Sequence, residues 1–155
     1  MHDTLKHTKK IIGTLILSLL MLFSGSFANA ELSVEDIIKN RQALLSKNYS
    51  TAKRVQSFSS NGDFDEAIEL MKEMSVNYIT LLDLFPENSK EGFKTEALPI
   101  IWEEKDAFNS LMQKASDDMT KLVLVIEDAD DIRGTLTKFM WSNCKACHNR
   151  YREEH

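Results

Sequence analysis

Apolar residues recur at helical spacing along most of this chain, and their interruptions divide it into four stretches. In the first, Val34, Ile37, Ile38, Leu44, Leu45, Ala52 and Val55 share one helical face, predicting a helix from Val34 to Phe58. Ser33 precedes it as an N-cap, with Asp36 three residues on in a capping-box arrangement. Ser59-Ser60-Asn61-Gly62 reads as a turn and Asp63 as the cap of a second helix. That helix carries Phe64, Ala67, Ile68, Met71, Met74, Tyr78, Ile79, Leu82 and Phe85, and ends at Pro86, because proline disfavours helix at the residue before it. Residues 86–98, with Asn, Ser, Lys and Gly, read as a long loop, and loops of that length are more often functional than idle. Pro99 suits the first turn of a third helix, bearing Trp102, Phe108, Leu111, Met112, Ala115, Met119, Leu122, Val123 and Ile126. The acidic run Glu127-Asp128-Ala129-Asp130-Asp131 breaks the pattern and supplies caps for a fourth helix through Ile132, Leu136, Phe139 and Met140. No stretch alternates as a strand does. Four amphipathic helices with two short connections and one longer one predict an all-α, antiparallel four-helix bundle, a fold that builds cofactor sites between facing helices.

The first thirty residues break from this pattern. Lys6, His7, Lys9 and Lys10 form a positive segment, Ile11 to Phe23 an apolar one, and Ala28-Asn29-Ala30 an A-x-A cleavage site. This is the signature of a secretory signal peptide, and the apolar segment is short for a membrane span, which needs about 20 residues. Cleavage after Ala30 is expected, leaving residues 31–155 as one soluble, exported domain. Without Lys6, Lys9, Lys10 and Asp3, the mature chain keeps 16 basic and 23 acidic residues, a net charge of −7. Such a chain repels phosphate backbones, which argues against a nucleic-acid partner.

The fourth stretch ends in Cys144-Lys145-Ala146-Cys147-His148, the C-x-x-C-H attachment pattern of a c-type haem. Two thiols must reach the two vinyl groups of one porphyrin, and an imidazole must reach its iron. On a helix, positions i, i+3 and i+4 share a face, so Cys144, Cys147 and His148 can address one macrocycle. A redox dithiol, half of a zinc site or a disulfide are the competing readings. Export favours disulfides, but a bridge closing so short a loop constrains the unfolded chain little. A zinc site would need Cys144, Cys147, His148 and His155 together, since His2 and His7 leave with the signal peptide.

On these features the chain resembles the cytochrome c′ family of bacterial periplasmic haem proteins, together with its low-spin bundle relatives. The resemblance rests on Ile38-Lys39-Asn40-Arg41-Gln42, on Leu84-Phe85-Pro86, on Leu98-Pro99-Ile100-Ile101-Trp102 and on the run from Cys144 to Arg152, in that order. It implies one haem c, joined covalently through Cys144 and Cys147, with His148 as axial iron ligand and Arg152 a basic residue on the same side. Arg41 and Gln42 match the pair that contacts the haem propionates, for which a planar guanidinium fork is suited. Glu96 aligns with a stretch lining the haem edge. The distal position falls on Leu45, where low-spin relatives carry a ligating methionine. Leucine cannot coordinate iron, so the resemblance implies a five-coordinate, high-spin iron with a vacant distal face. Met71, Met74, Met112 and Met119 read as core filler, though any of them facing the iron would be an alternative ligand.

Two functions follow from that resemblance. One is periplasmic one-electron transfer with redox partner proteins of the periplasm or inner membrane. The other is binding of nitric oxide or carbon monoxide, buffering or detoxifying nitric oxide, because a leucine-lined face without an obvious hydrogen-bond donor offers little to bound dioxygen. With no distal acid or base the expectation is not an enzyme. A homodimer through the first two helices is also expected, with Leu81 and Leu84 serving as core or as dimer surface.

Overall fold

The computed structural model describes residues 32–154. The expected signal peptide, its cleavage site and His155 lie outside the described residues. Helix α1 spans Val34–Asn61 and α2 Phe64–Leu81; α3 (Ile100–Glu103) and α4 (Lys105–Val125) form the third arm. The fourth arm runs from α5 (Ile132–Leu136) through a π-helical segment, Thr137–Trp141, into α6 (Ser142–Tyr151). Helix α2 packs between α1 and α4, and the fourth arm returns against α4 and α1. This is the expected four-helix bundle. Among the described residues no helix is long and apolar enough to cross a membrane.

The helix starts follow the chemistry of their caps. Ser33 accepts the Asp36 N–H at 3.1 Å while its hydroxyl donates to the Asp36 carboxylate. Helix α1 does not stop at Phe58 but continues through the expected turn to Asn61. The residue that can end it is Gly62, left-handed at φ 85°, a conformation glycine adopts without a Cβ penalty. Asp63 stands at the N-cap of α2 but makes no side-chain capping bond. The α-geometry of α2 stops at Leu81 and tightens into a 3₁₀ turn at Leu82–Leu84 before Pro86. The third arm, expected to be continuous, is interrupted at Glu104 (φ −116°, ψ 40°).

The core is built mainly between α2 and α4. Met71, Met74, Leu81, Met119 and Leu122 have no exposed surface, which makes three of the four scrutinised methionines core filler. Leu81 is therefore core rather than dimer surface, and Leu84 is partly buried against the same cluster; the exposed apolar residues of α2 are Val76 and Ile79.

Candidate functional site

The fourth arm carries the C-x-x-C-H motif and is fastened at both ends. Asp131 caps α5 by accepting the Gly134 N–H at 2.9 Å, and a Cβ at position 134 would collide with that carboxylate. In the first turn of α6, Asn143 is buried and makes three hydrogen bonds: its Nδ2 donates to Asp118 at 3.0 Å and to the Phe139 carbonyl at 2.8 Å, and its Oδ1 accepts from Lys114 at 3.1 Å. Beyond the motif, Arg150 grips Glu104 with two donors, Nε at 2.7 Å and a terminal nitrogen at 2.5 Å, and Tyr151 donates to the same carboxylate. The chain then pairs with the 86–98 loop in an antiparallel bridge between Ala97 and Arg152. The Leu98 N–H donates to the Tyr151 carbonyl at 3.0 Å and the Glu153 N–H to the Glu96 carbonyl at 2.9 Å. The break at Glu104 thus has a use: it turns a carboxylate toward the end of α6.

Between α1, the 86–98 loop, the third arm and α6 lies a cavity of about 610 Å³. Cys147 and His148 line it from α6, Arg152 from the extended residue just after it, and Arg41, Gln42 and Leu45 from α1, with Glu96 on the loop side. All the site residues expected from the sequence therefore meet at one cavity except Cys144. Cys144 stands outside the lining, its Sγ 4.0 Å from the hydroxyl of buried Tyr78 on α2. Phe85, Ile101, Phe108 and Met112 supply apolar wall, so the fourth methionine, buried in the same core cluster as the other three, also borders the cavity. Phe108 joins Phe85 at 4.7 Å and Tyr151 at 5.2 Å in edge-on aromatic contacts. Phe108 reads in sequence only as a core position, and Met112 as core filler with the alternative of an iron ligand. Ser46 and Tyr49 also line the cavity, extending the α1 face by the same i, i+4 spacing that links Arg41 to Leu45. The α1 wall is therefore bordered by hydroxyls, against the expectation of a face without donors.

The loop over the cavity is tied to α1 by two consecutive side chains. Arg41, 1 % exposed, donates to the Ser89 carbonyl and hydroxyl at 2.9 Å each, to Thr95 Oγ1 at 2.6 Å and to the Leu84 carbonyl at 3.3 Å. Its guanidinium lies over the rings of Phe85 and Trp102. Burial lowers its pKa to about 10, and among the described residues it has no carboxylate in an ion pair. Gln42 Nε2 donates to the Lys94 carbonyl at 2.9 Å within the left-handed run Gly92, Phe93 and Lys94. Trp102 Nε1 donates to the Phe85 and Pro86 carbonyls, and Lys105 also donates to Phe85. The sequence segments around Pro86 and Trp102 thus touch directly.

The electrostatics of α6 suit a neutral ligand set. Burial, then the charge of Arg152, lowers the pKa of His148 against an opposing pull from Glu96, favouring the neutral imidazole that binds metals. Burial raises both thiols, Cys147 to about 12, and neither cysteine forms a disulfide. These features fit a haem. The group is flat and apolar with two carboxylates, and the cavity offers apolar walls, Arg41 and Arg152 in its lining, and an imidazole and a thiol on one helix. Its volume lies within the roughly 300–1,000 Å³ typical of cofactor sites.

A helical bundle that opens an imidazole and a thiol of one helix into such a cavity defines the class of haem-binding bundle proteins. The cytochrome c′ family matches residues 36–152, and the chain belongs to it; it is a haem protein. It is 31 % identical over 140 residues to a cytochrome c′ of Rhodopseudomonas palustris, spanning 88 % of this chain and 92 % of the relative. The solved structure of cytochrome c′ from Rhodopseudomonas palustris superposes with a TM-score of 0.64 at 27 % identity, over 77 % of this chain and 97 % of that one. A variant of cytochrome c prime from Alcaligenes xylosoxidans, solved as its nitric oxide complex, shares the fold with a TM-score of 0.67 at 22 % identity, over 80 % of this chain and 99 % of that one.

Proposed function

We propose that this is a periplasmic c-type cytochrome that carries one haem c and transfers single electrons, with a vacant distal position on the iron. The observation that supports this reading best is the convergence of Cys147, His148, Arg41, Gln42, Leu45 and Arg152 on one apolar-walled cavity. In it, Cys144 and Cys147 would hold the haem through thioether links and His148 would supply a nitrogen to its iron. When bound, the haem provides a one-electron iron couple and an iron position open to a diatomic ligand. The chain's own residues do the rest. Arg41 and Gln42 hold the 86–98 loop down, which excludes water, and Arg41 together with Arg152 brings positive charge to the propionates. The pins at Glu104 and Asp118 limit how far His148 can drift. Leu45 fills the distal side without a donor atom for the iron. Leu45 itself supplies neither an acid nor a base for turnover, which supports a carrier rather than an enzyme.

A second reading is favoured by Leu45 itself: a distal wall with no ligating atom leaves room for nitric oxide or carbon monoxide, and a relative has been solved with nitric oxide. Buffering of nitric oxide would use the same site. The redox partners of the first reading are periplasmic or membrane proteins, and a homodimer through α1 and α2 would cover Val76 and Ile79.

Absorption spectra of the reduced protein, with and without carbon monoxide, test the vacant position. Broad high-spin bands that respond to the gas are expected. Sharp low-spin bands that ignore it overturn the reading. Leu45→Met should move the spectrum toward the low-spin, gas-insensitive form; an unchanged spectrum removes Leu45 from the distal position.

A further inference from the structure

The segment between α5 and α6 is π-helical, and the haem motif begins three residues after it. A π turn adds one residue to the helical repeat and frequently marks a functional site. Each residue of α-helix advances the side-chain direction by roughly 100°, so the inserted residue changes which way everything after it points. Were residues 137–141 to relax into plain α-helix, Cys144, Cys147 and His148 would turn by about that angle relative to Leu136 and the α5 face. The direction of the motif therefore depends on what stabilises the π turn.

One side chain does so from both directions. Asn143 precedes Cys144, is 8 % exposed, and uses both amide hydrogens and its amide oxygen within the protein. One Nδ2 hydrogen goes back to the Phe139 carbonyl, inside the π segment, where the shifted ladder displaces carbonyls from their usual partners. The other goes across to Asp118 on α4, itself 4 % exposed. Asp118 is in turn bonded by Lys114 and approached by Lys121 at 3.4 Å, both from its own helix. A carboxylate that accepts but cannot donate forces the amide to present its nitrogen, which leaves Oδ1 for Lys114 at 3.1 Å. The bonding pattern thus admits a single amide orientation and a single place for residue 143 against α4.

We propose that Asn143, tied to Asp118, is the positioning residue that sets the rotational direction of the haem-attachment helix by holding the π turn before it. The inference rests on the haem reading above and concerns a residue that touches neither thiol nor iron. Outer-shell groups of this kind orient metal ligands, and their loss is felt at the metal.

The test uses the holoprotein made in a host that attaches haem c, comparing wild type with Asn143→Leu and Asn143→Ser. Leucine keeps the volume without hydrogen bonds; serine is too short to reach Asp118 and guards against a misfolded leucine variant. Three quantities are read: covalent haem per chain by intact mass, the iron–histidine stretching frequency of the ferrous protein, and the unfolding midpoint. Both variants should lose attached haem and shift the stretching frequency. Asp118→Asn, which keeps an acceptor oxygen for Asn143, should return the wild-type frequency. Ser75→Ala, removing a hydroxyl bonded to Ser116 in the α2–α4 interface, should lower the midpoint and leave the frequency alone. If Asn143→Ser folds, loads fully and keeps the wild-type frequency, the positioning role is overturned, as it is if Ser75→Ala shifts the frequency equally. A wild-type chain that takes up no haem overturns the haem reading itself, a result distinct from either.

Discussion

Two sides of this bundle have opposite characters. Between α2 and α4, methionine and leucine side chains close without exposed surface, whereas between α1 and α6 the same helical periodicity leaves about 610 Å³ open. The difference lies in what flanks each interface. Apolar stripes alone collapse to the density of a protein interior. The α1–α6 side is kept from doing so by polar fastenings at its margins: Arg41 and Gln42 on the loop, Asn143 on Asp118, and Arg150 on Glu104. A cavity inside a small domain is therefore a built object, and the side chains that build it need not touch its occupant.

The sharpest contrast should come from truncating one methionine on each side. Met119→Ala in the closed interface should cost about 2–5 kcal/mol, read from the denaturant midpoint of the protein. Met112→Ala should cost clearly less in the haem-free protein, because its side chain already borders open space. Equal losses would erase the distinction between the two interfaces.

A smaller effect is expected from Arg41→Met. The change preserves the apolar stem but leaves the acceptors on Leu84, Ser89 and Thr95 without their donor, a loss of about 1–3 kcal/mol. Hydrogen exchange should speed up within residues 86–98 while amides of α2 and α4 follow only the global change. Uniform acceleration would mean that Arg41 serves the whole bundle rather than the loop.

The smallest effect is a pH dependence centred on the fastenings. Burial would raise the Asp118 carboxyl, but hydrogen bonds from Lys114 and Asn143 overcome this and hold its pKa below the usual value. The hydrogen bond from Arg150 likewise lowers that of Glu104. Both groups have folded pKa values below their unfolded ones. Their contribution is fully present above the ordinary carboxylate range of about 4 and is lost as pH falls through the lowered folded values. Urea titrations stepped downward from pH 5 should show the loss, and Asp118→Asn should flatten part of it. A profile that Asp118→Asn leaves untouched would assign the dependence elsewhere.

The helices, their order and the thiol–imidazole motif were legible because they are written locally, in apolar spacing and in proline and glycine placement. The interruptions were not. The break at Glu104 makes sense only when Arg150 and Tyr151, more than forty residues away, are placed beside it. Helix α1 overran the serines at 59 and 60 because Ser59 is buried in the bundle, and only Gly62 could turn the chain. The π segment left no mark in the apolar pattern. Arg41 and Gln42 were found by resemblance, but the loop atoms they hold are invisible in a linear reading. The cavity residues Phe108, Met112 and Tyr49 were hidden in plain periodicity, since a helix face looks the same in sequence whether it meets another side chain or a void.

Chain order gives this architecture a timetable. Proteins emerge from synthesis N-terminus first, so α1, α2 and α4 are present, with the apolar faces that join them, before any residue of α6 exists. The wall that bears His148 arrives last. The ties at Asp118, Glu104 and Ala97 can form only then, so the step that finishes the bundle is also the step that brings the iron ligand to its place.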